Sequence, residues 1–162
     1  MKIVMGCDHR GFSAREIVKS IVDQMGHELI DMGTDSDSPV DYPDIAYLAA
    51  SAVSNGDADR AILICSTGIG MCIAANKVDG VRAALCHDTF SAAVSREHND
   101  SNVLCVSAEQ SGELVLRKMV EIWLTSDFSG GRHERRVQKI ALIEQGQDPR
   151  EATPANEGLA QE

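Results

Sequence analysis

Short apolar runs alternate with amphipathic segments along most of this chain. Runs without alternation, such as 61–64 (AILI), are typical of strands that are buried on both faces of a parallel sheet. Segments with apolar residues at helical spacing, such as Ile17, Val18, Ile21 and Val22, are typical of helices with one buried face. The pattern predicts strands at 2–6, 28–32, 61–64, 81–85 and 103–106, and helices at 13–25, 45–53, 71–77, 90–98, 114–124 and 133–144.

The order of these elements predicts the fold class. Strands that alternate with helices through short links form βαβ units, and such units give a parallel sheet with helices on both faces. We therefore expect an α/β fold with one five-stranded, doubly wound sheet. The segment 35–43 is rich in Asp, Ser and Pro and is predicted to be a loop. The domain is expected to span 1–144, because 145–162 contains almost no bulky apolar residue and is predicted to be a disordered tail.

The composition fits a single globular domain. The chain has 162 residues, of which 43% are hydrophobic and 25% charged, so it is long enough for an ordinary core. Aromatic residues make up only 4%, so we expect an aliphatic core that includes Trp123. With 25 acidic and 15 basic residues the net charge is −10 at pH 7. Such a field repels nucleic acid and anionic membranes, which are therefore not expected partners, and an anionic substrate requires a local basic cluster.

The cysteines and the N-terminal segment predict a cytoplasmic protein. The first residues form only a short apolar run before charged residues, unlike a signal peptide. No window reaches the roughly 18 apolar residues that a membrane helix requires. The five cysteines stand singly, without a C-x-x-C pair, which is typical of a chain in a reducing compartment.

Polar segments follow the predicted strands where an open α/β sheet binds its ligands, beyond the carboxyl ends of the strands. The segments 7–11, 65–70 and 86–88 follow strands, and 96–100 stands just before the fifth strand. Two of them contain a histidine beside a hydrogen-bonding neighbour, Asp8–His9 and His98–Asn99. We expect both pairs near the same rim, in proton transfer, although a lone histidine is more often structural.

The loop 65–70 (CSTGIG) is the sharpest chemical signal in the sequence. Small residues let backbone N–H groups approach a ligand closely, and a helix that follows adds its positive end, so the loop predicts an anion site. It matches neither a Walker A motif nor the dinucleotide fingerprint. The alternative is a tight turn that merely needs glycine. Cys65 stands where a thiol has a lowered pKa; the alternative is a buried, inert thiol, and Cys72 is expected to be such a thiol.

Arg132, Arg135 and Arg136 form the basic cluster that an anionic substrate requires. Arg132 and Arg136 stand four residues apart and share one face of the predicted helix, an arrangement suited to a phosphate group. The alternative is a solvated helix start that pairs with Glu134.

Together, several segments resemble the type B ribose-5-phosphate isomerases and the related galactose-6-phosphate and allose-6-phosphate isomerases. The resemblance runs in order from residue 2 to about 144. The segments that carry it are MGCDHRGF (5–12), DYP (41–43), ICSTGIG (64–70), AANK (74–77), REHND (96–100) and GGRHERR (130–136).

The resemblance implies a fold, an assembly and a reaction. The fold is a Rossmann-like three-layer sandwich, and the assembly is a homodimer, sometimes a tetramer, with parts of one site contributed by different protomers. No metal and no cofactor are implied. The reaction is aldose–ketose interconversion, here of ribose 5-phosphate and ribulose 5-phosphate, with a six-carbon aldose phosphate as the alternative substrate.

The resemblance also implies roles for individual residues. Cys65 corresponds to the base that moves a proton between C2 and C1, His98 to the residue that opens the furanose ring, and Asp8 lies near the sugar oxygens. The anion hole for the enediolate corresponds to Ser66, Thr67, Gly68, Ile69 and Gly70. The phosphate contacts correspond to His9, Arg132 and Arg136, and the residues lining the sugar to Tyr42 and Asn99.

Two departures from the family pattern concern the substrate. Ser66 stands where many members have glycine, and Glu109 stands in the region where many have an arginine that contacts the phosphate.

Two other classes of protein compete with an isomerase. A non-catalytic phosphosugar-binding module would not need Cys65 or His98, and a metal site lacks the close ligand pairs that zinc usually has. The candidate metal ligands are Cys7, His9, Cys65, Cys86 and His87.

Overall fold

A computed structural model describes residues 1–152 of the chain. It contains one five-stranded sheet, in which all neighbouring strands are parallel and their order is β2-β1-β3-β5-β4. The strands are β1 (Lys2–Cys7), β2 (Glu28–Asp31), β3 (Arg60–Cys65), β4 (Ala83–Leu85) and β5 (Val103–Ser107). The helices are α1 (Phe12–Gln24), α2 (Tyr42–Ser54), α3 (Ile69–Ala75), α4 (Thr89–Glu97), α5 (Glu113–Thr125) and α6 (Arg132–Glu144). The predicted α/β class is confirmed.

Two apolar layers cover the sheet, one on each face. Side chains of α1 and α5 pack on one face, and side chains of α2 and α3 pack on the other. Trp123 of α5 is fully buried, as predicted, and its indole N–H donates to the hydroxyl of Ser101 (2.9 Å). Aliphatic residues fill both layers because the strands have no polar face.

Helix α2 begins earlier than the sequence predicted. The loop was expected to run through residue 43, whereas Tyr42 and Pro43 belong to the first turn of α2, after Asp41 in an extended conformation. Proline fits a first helical turn because its fixed φ is helical and its missing N–H has no partner to lose there. The early start brings Tyr42 to the carboxyl end of the sheet.

Helix α6 stands at the amino edge of the sheet, and His133 is its one buried residue. Near its end, the Glu144 carboxylate accepts the N–H of Gly80, which lies before β4 (2.7 Å). Ile140 and Ile143 are exposed and Val137 is half-buried, so part of the apolar stripe of this helix has no cover among residues 1–152.

The chain after α6 continues through turns to residue 152. The Lys139 ammonium donates to the carbonyl of Pro149 (2.7 Å), and Arg150 pairs with Asp148. The rest of the predicted tail, 153–162, lies outside the described residues. No helix within 1–152 combines the length and the apolar character needed to cross a membrane.

Candidate active site

Asp8 follows β1 and is almost completely buried. Its Oδ1 accepts the backbone N–H groups of Arg10 and Gly11, both at 2.9 Å. Its own N–H donates to the carbonyl of Ile64 in β3, which ties the turn to the neighbouring strand (3.2 Å). Gly11 permits this approach, because a Cβ there would lie 2.4 Å from the Ile64 oxygen. The carboxylate is therefore fixed beside the end of β3.

Cys65 ends β3, and only 5% of it is exposed. The N–H of Gly68 donates to its Sγ (3.0 Å), so the loop that follows the strand folds back over the sulfur. Gly68 has φ +78°, and a Cβ on it would lie 2.5 Å from Leu85. Any other residue at position 68 would have a strained backbone conformation, and its Cβ would also collide with Leu85, which explains the glycine.

Backbone N–H groups of this loop are available to a ligand. The N–H of Ile69 donates to the Thr67 hydroxyl (3.3 Å). Within 1–152, the N–H groups of Thr67 and Gly70 make no hydrogen bond. The Tyr42 ring packs on Gly70, where a Cβ would lie 2.6 Å from the ring. The loop therefore offers free donors close to a thiol and a phenol.

His9 closes another side of the same region. Its Nδ1 accepts the N–H of Val40 from the loop before α2 (3.3 Å). In the neutral ring this bond leaves the proton on Nε2. Asp8, His9, Tyr42 and the loop 65–70 thus lie together at the carboxyl ends of β1 and β3, and we call them the carboxyl-edge group.

An ion pair borders the carboxyl-edge group at the end of β5. The guanidinium of Arg10 donates through Nε to Oε1 of Glu109 (2.8 Å), and through Nη2 to the same oxygen. The hydrogen bonds from Arg10 lower the pKa of Glu109 below its ordinary value, and Ser66 lowers it further. Glu109 and Ser66, the two departures from the family pattern, are therefore neighbours.

A second set of candidate residues lies where α4 ends and α6 begins. The His98 and His133 rings stack with their centroids 4.0 Å apart and an interplanar angle of 7°. Burial lowers the pKa of His133 below the ordinary histidine value, and the nearby positive charges of His98 and Arg132 lower it further. Asn99, Arg132 and Arg136 are exposed, and neither arginine has an ion pair within 1–152. We call His98, Asn99, Arg132 and Arg136 the amino-edge group.

Asp100 holds the turn that follows His98. It has φ +47°, an uncommon conformation for a residue other than glycine. Its carboxylate pairs with Arg82 and with Arg96, each at 2.8 Å. The two ion pairs fix the turn, and with it the position of the neighbouring Asn99.

The expectation that Asp8–His9 and His98–Asn99 share one rim is wrong. Helix α4 starts at the carboxyl end of β4 and runs back, so it ends at the amino end of the sheet. There the carbonyl of Asn102 accepts the N–H of Ala61, at the start of β3 (3.0 Å). Four residue steps of β3 separate Ala61 from Cys65 by about 13 Å. The two groups thus lie at opposite edges, and no hydrogen bond or ring contact in the described chain joins them.

The remaining cysteines differ from one another. Burial raises the pKa of Cys7 to about 11, so this thiol stays protonated at neutral pH. Cys72, expected to be buried and inert, is instead partly exposed, and a hydrogen bond from Cys105 is the main cause that lowers its pKa to about 7. Between residues 1 and 152, no three His, Cys, Asp or Glu side chains are arranged to hold a metal ion.

The sequence analysis assigned no role to His133. It also did not predict the contact between Arg10 and Glu109. His133 could have been noticed because it lies beside Arg132 in the basic cluster. The contact between Arg10 and Glu109 could not, because it joins residues 99 positions apart and depends on the strand order.

Comparison with known proteins identifies the family. The family model described as Ribose/Galactose Isomerase matches residues 3–140. Ribose-5-phosphate isomerase B of Escherichia coli is 47% identical over 145 residues, covering 89% of this chain and 97% of that protein. The D-erythrulose-4-phosphate isomerase of Pectobacterium atrosepticum is 38% identical over 146 residues, covering 89% and 95%.

A solved structure gives the same answer. Ribose-5-phosphate isomerase B of Clostridium thermocellum superposes with a TM-score of 0.88 at 44% identity, covering 90% of this chain and 99% of that one. Agreement in sequence extends over nearly the whole length of each relative, so the likeness includes both edges of the sheet. The chain therefore belongs to the ribose/galactose isomerase family, as a sugar-phosphate isomerase that resembles the type B ribose-5-phosphate isomerases.

Proposed function

We propose that this isomerase interconverts ribose 5-phosphate and ribulose 5-phosphate through an enediolate, with Cys65 as the base. The thiolate of Cys65 takes the proton from C2 of the open-chain aldose, and the C2–H electrons form the C1–C2 double bond while the carbonyl oxygen becomes an oxyanion. The thiol then returns the proton to C1, while the C2 hydroxyl gives up its proton and the C1 oxyanion takes one, so that C2 becomes the ketone and C1 carries the hydroxyl. No cofactor and no metal take part in these steps.

The observation that carries this proposal is the placement of Cys65 beside unpaired backbone donors. Its sulfur lies 3.0 Å from the Gly68 nitrogen, and the free N–H groups of Thr67 and Gly70 belong to the same loop. Proton abstraction next to a carbonyl requires a base together with fixed donors where the oxyanion develops. A phosphosugar-binding module would have no use for a buried thiol in this position.

The other residues take the roles that the resemblance implies, divided between the two edges of the sheet. In the carboxyl-edge group, Asp8 contacts the sugar oxygens, Tyr42 lines the sugar, and Ser66, Gly68 and Ile69 complete the anion hole. The amino-edge group supplies ring opening by His98, sugar contact by Asn99 and phosphate binding by the two arginines, to which His9 adds from the other edge.

The two edges meet across a homodimer in this proposal. Cys65 and His98 lie at opposite edges of one sheet, which β3 separates by about 13 Å between Ala61 and Cys65, whereas one substrate must reach both. A second copy solves this problem if its amino edge faces the first copy's carboxyl edge. The exposed Ile140 and Ile143 of α6 supply apolar surface for such contact. Helices α2 and α3 add exposed Tyr47, Leu48 and Ile73.

Ribose 5-phosphate is the proposed substrate because relatives at 47% and 41% identity are named for it. The Pectobacterium relative is named for a four-carbon substrate, so chain length varies within the family. Glu109 affects the choice of sugar phosphate, because its carboxylate accepts hydrogen bonds from the Arg10 guanidinium at the border of the site. The five free thiols fit a reducing, cytoplasmic location, and the net charge of −10 argues against nucleic acid or a membrane as partner.

A substrate panel tests the proposed function. The purified chain is assayed with ribose 5-phosphate, allose 6-phosphate, galactose 6-phosphate and a four-carbon aldose phosphate, and kcat/KM is compared with and without chelator. We expect the highest kcat/KM on ribose 5-phosphate and no effect of chelator. A higher value on a six-carbon sugar would replace the substrate assignment, and turnover of none would contradict the proposed reaction.

A further inference from the structure

Ser107 is a fully buried polar residue that the proposed chemistry leaves without a role. It ends β5 and is the register partner of Cys65. Its hydroxyl donates to the carbonyl of Ser66 (2.5 Å) and accepts the N–H groups of Gln110 (2.9 Å) and Glu109 (3.2 Å). A hydroxyl has one donor and two acceptor positions, so every one of them is used.

The bond to Ser66 fixes one peptide plane of the loop. The peptide between Ser66 and Thr67 is trans, because the described chain contains no cis peptide bond. In a trans peptide the carbonyl and the N–H point to opposite sides of the chain. Since the Ser66 carbonyl points to Ser107, the N–H of Thr67 points away from β5. That N–H is one of the free donors of the loop.

Without the hydroxyl of Ser107, the Ser66 carbonyl would keep only a long bond. Its other partner within 1–152 is the N–H of Glu109 at 3.4 Å, which Ser107 also holds in place. The peptide could then rotate, and the Thr67 N–H would no longer have a fixed direction. A donor that must be realigned during the reaction stabilises an oxyanion less than a preorganised one.

We propose that Ser107 is a positioning residue, which aims the Thr67 N–H at the oxyanion of the enediolate. The inference rests on the proposed function, because it assigns a part to that same site. Ser107 does not touch the substrate: it acts through the Ser66–Thr67 peptide. The proposal separates two anions, since it concerns the oxyanion at C1 and C2 and not the phosphate at the far end of the sugar.

The test is Ser107→Ala in the full chain. We expect kcat to fall about 10- to 100-fold, less than the ~10²–10³ of losing an oxyanion donor outright, with KM changed less than about threefold. Two inhibitors supply a readout that a merely structural role would not move. A four-carbon aldonic acid phosphate, whose carboxylate imitates the enediolate, should bind at least about tenfold more weakly, whereas inorganic phosphate should bind as before.

Ser95→Ala is the matched control. Ser95 is also a buried serine, but its hydroxyl donates to the carbonyl of Ala92 (2.9 Å) and accepts the hydroxyl of Ser101 (2.9 Å), so neither bond reaches the loop 65–70. We expect this variant to retain full kcat and both inhibition constants, with a melting temperature similar to that of Ser107→Ala. Ser107→Cys keeps the shape with a weaker donor, and its loss in kcat should lie between those of wild type and Ser107→Ala. It decides the question if the alanine variant does not fold.

The outcomes separate the two proposals. A wild-type chain without isomerase activity overturns the proposed function and this inference with it. An active wild type overturns the inference alone if Ser107→Ala keeps its kcat, if Ser107→Cys equals wild type, or if both inhibitors weaken to the same degree.

Discussion

The imidazole rings of His98 and His133 stack face to face, 4.0 Å apart, and join the end of α4 to the start of α6. The N–H of Ser129 adds a second link, because it donates to the carbonyl of Glu97 (2.9 Å). The start of α6, which carries Arg132 and Arg136, is therefore fixed relative to His98. A proposed acid–base residue and a proposed phosphate clamp thus form one unit at the amino edge.

His98→Asn should separate ring opening from isomerisation. If His98 opens the furanose ring, this variant should lose about 10²–10⁴ in rate on ribose 5-phosphate. It should lose far less on erythrose 4-phosphate, whose phosphorylated O4 cannot close a furanose. The measurement is kcat/KM for both substrates. Equal losses would give His98 a binding or structural role.

The lowered pKa of His133 predicts a loss of stability in acid. The unfolded chain binds a proton near pH 6.5, whereas the folded chain resists it because burial disfavours the charged ring. The contribution of neutral His133 to the free energy of unfolding is therefore fully present above pH 6.5. It is lost as the pH falls through the pKa of His133 in the folded chain. Urea unfolding between pH 8 and pH 5 should show this decline. His133→Phe keeps a ring against His98 and should flatten the slope, and an unchanged slope would contradict the assignment.

Cys72 should be the first thiol to react with iodoacetamide. It is partly exposed, and its pKa of about 7 makes about half of it thiolate at neutral pH, whereas Cys65 is 5% exposed. Peptide mapping by mass spectrometry should show labelling of Cys72 that rises between pH 6 and pH 8 and then levels off. Cys72→Ser should remove this label and leave a slower reaction at Cys65 that substrate suppresses. Faster labelling of Cys65 would contradict the prediction.

Glu109→Gln should strengthen the binding of inorganic phosphate. The change releases the Arg10 guanidinium from its carboxylate partner and leaves a free positive charge at the border of the site. We expect the inhibition constant of phosphate to fall about two- to fivefold at low salt, with a smaller effect at high salt. Glu113→Gln changes the net charge equally at an exposed position of α5, beside Arg117, and serves as the control. Equal effects of both variants would mean that only the overall field matters.

Much of the carboxyl-edge group could be predicted from the sequence. Apolar runs locate β1 and β3, and the small residues after Cys65 identify the loop, because both signals are local. The sequence pattern places Tyr42 in a loop because the segment 35–43 is rich in turn-forming residues that include Pro43, although proline is also favoured in a first helical turn.

The edge of the sheet at which His98 lies could not be predicted from the spacing of residues in the sequence alone. Its segment stands just before β5 in the sequence, which says nothing about the edge at which it lies until the direction of α4 is considered. The Arg10–Glu109 pair depends on the order β1-β3-β5, since it joins the ends of strands that both flank β3. Neither relationship is encoded in a local pattern, so both come only from the assembled sheet.

Subunit complementation tests whether the two edges of different chains form one site. Cys65→Ala removes the carboxyl-edge base, and Arg136→Ala removes an amino-edge arginine, so each homodimer should be inactive or strongly impaired. In a mixed C2 dimer both lesions fall in one site and the other site is intact. Random reassortment makes about half of the dimers mixed, each with one good site, so roughly a quarter of full activity should return.

Mixing His98→Asn with Arg136→Ala is the control: both lesions lie at the amino edge, so neither site of a mixed dimer is intact. Subunit exchange is verified independently by mass spectrometry of mixed dimers carrying different tags. Recovery in the first mixture but not in the second is the expected result. Exchange without recovery would place Cys65 and Arg136 in the site of one protomer, against the separation of about 13 Å that divides the two edges of its sheet along β3.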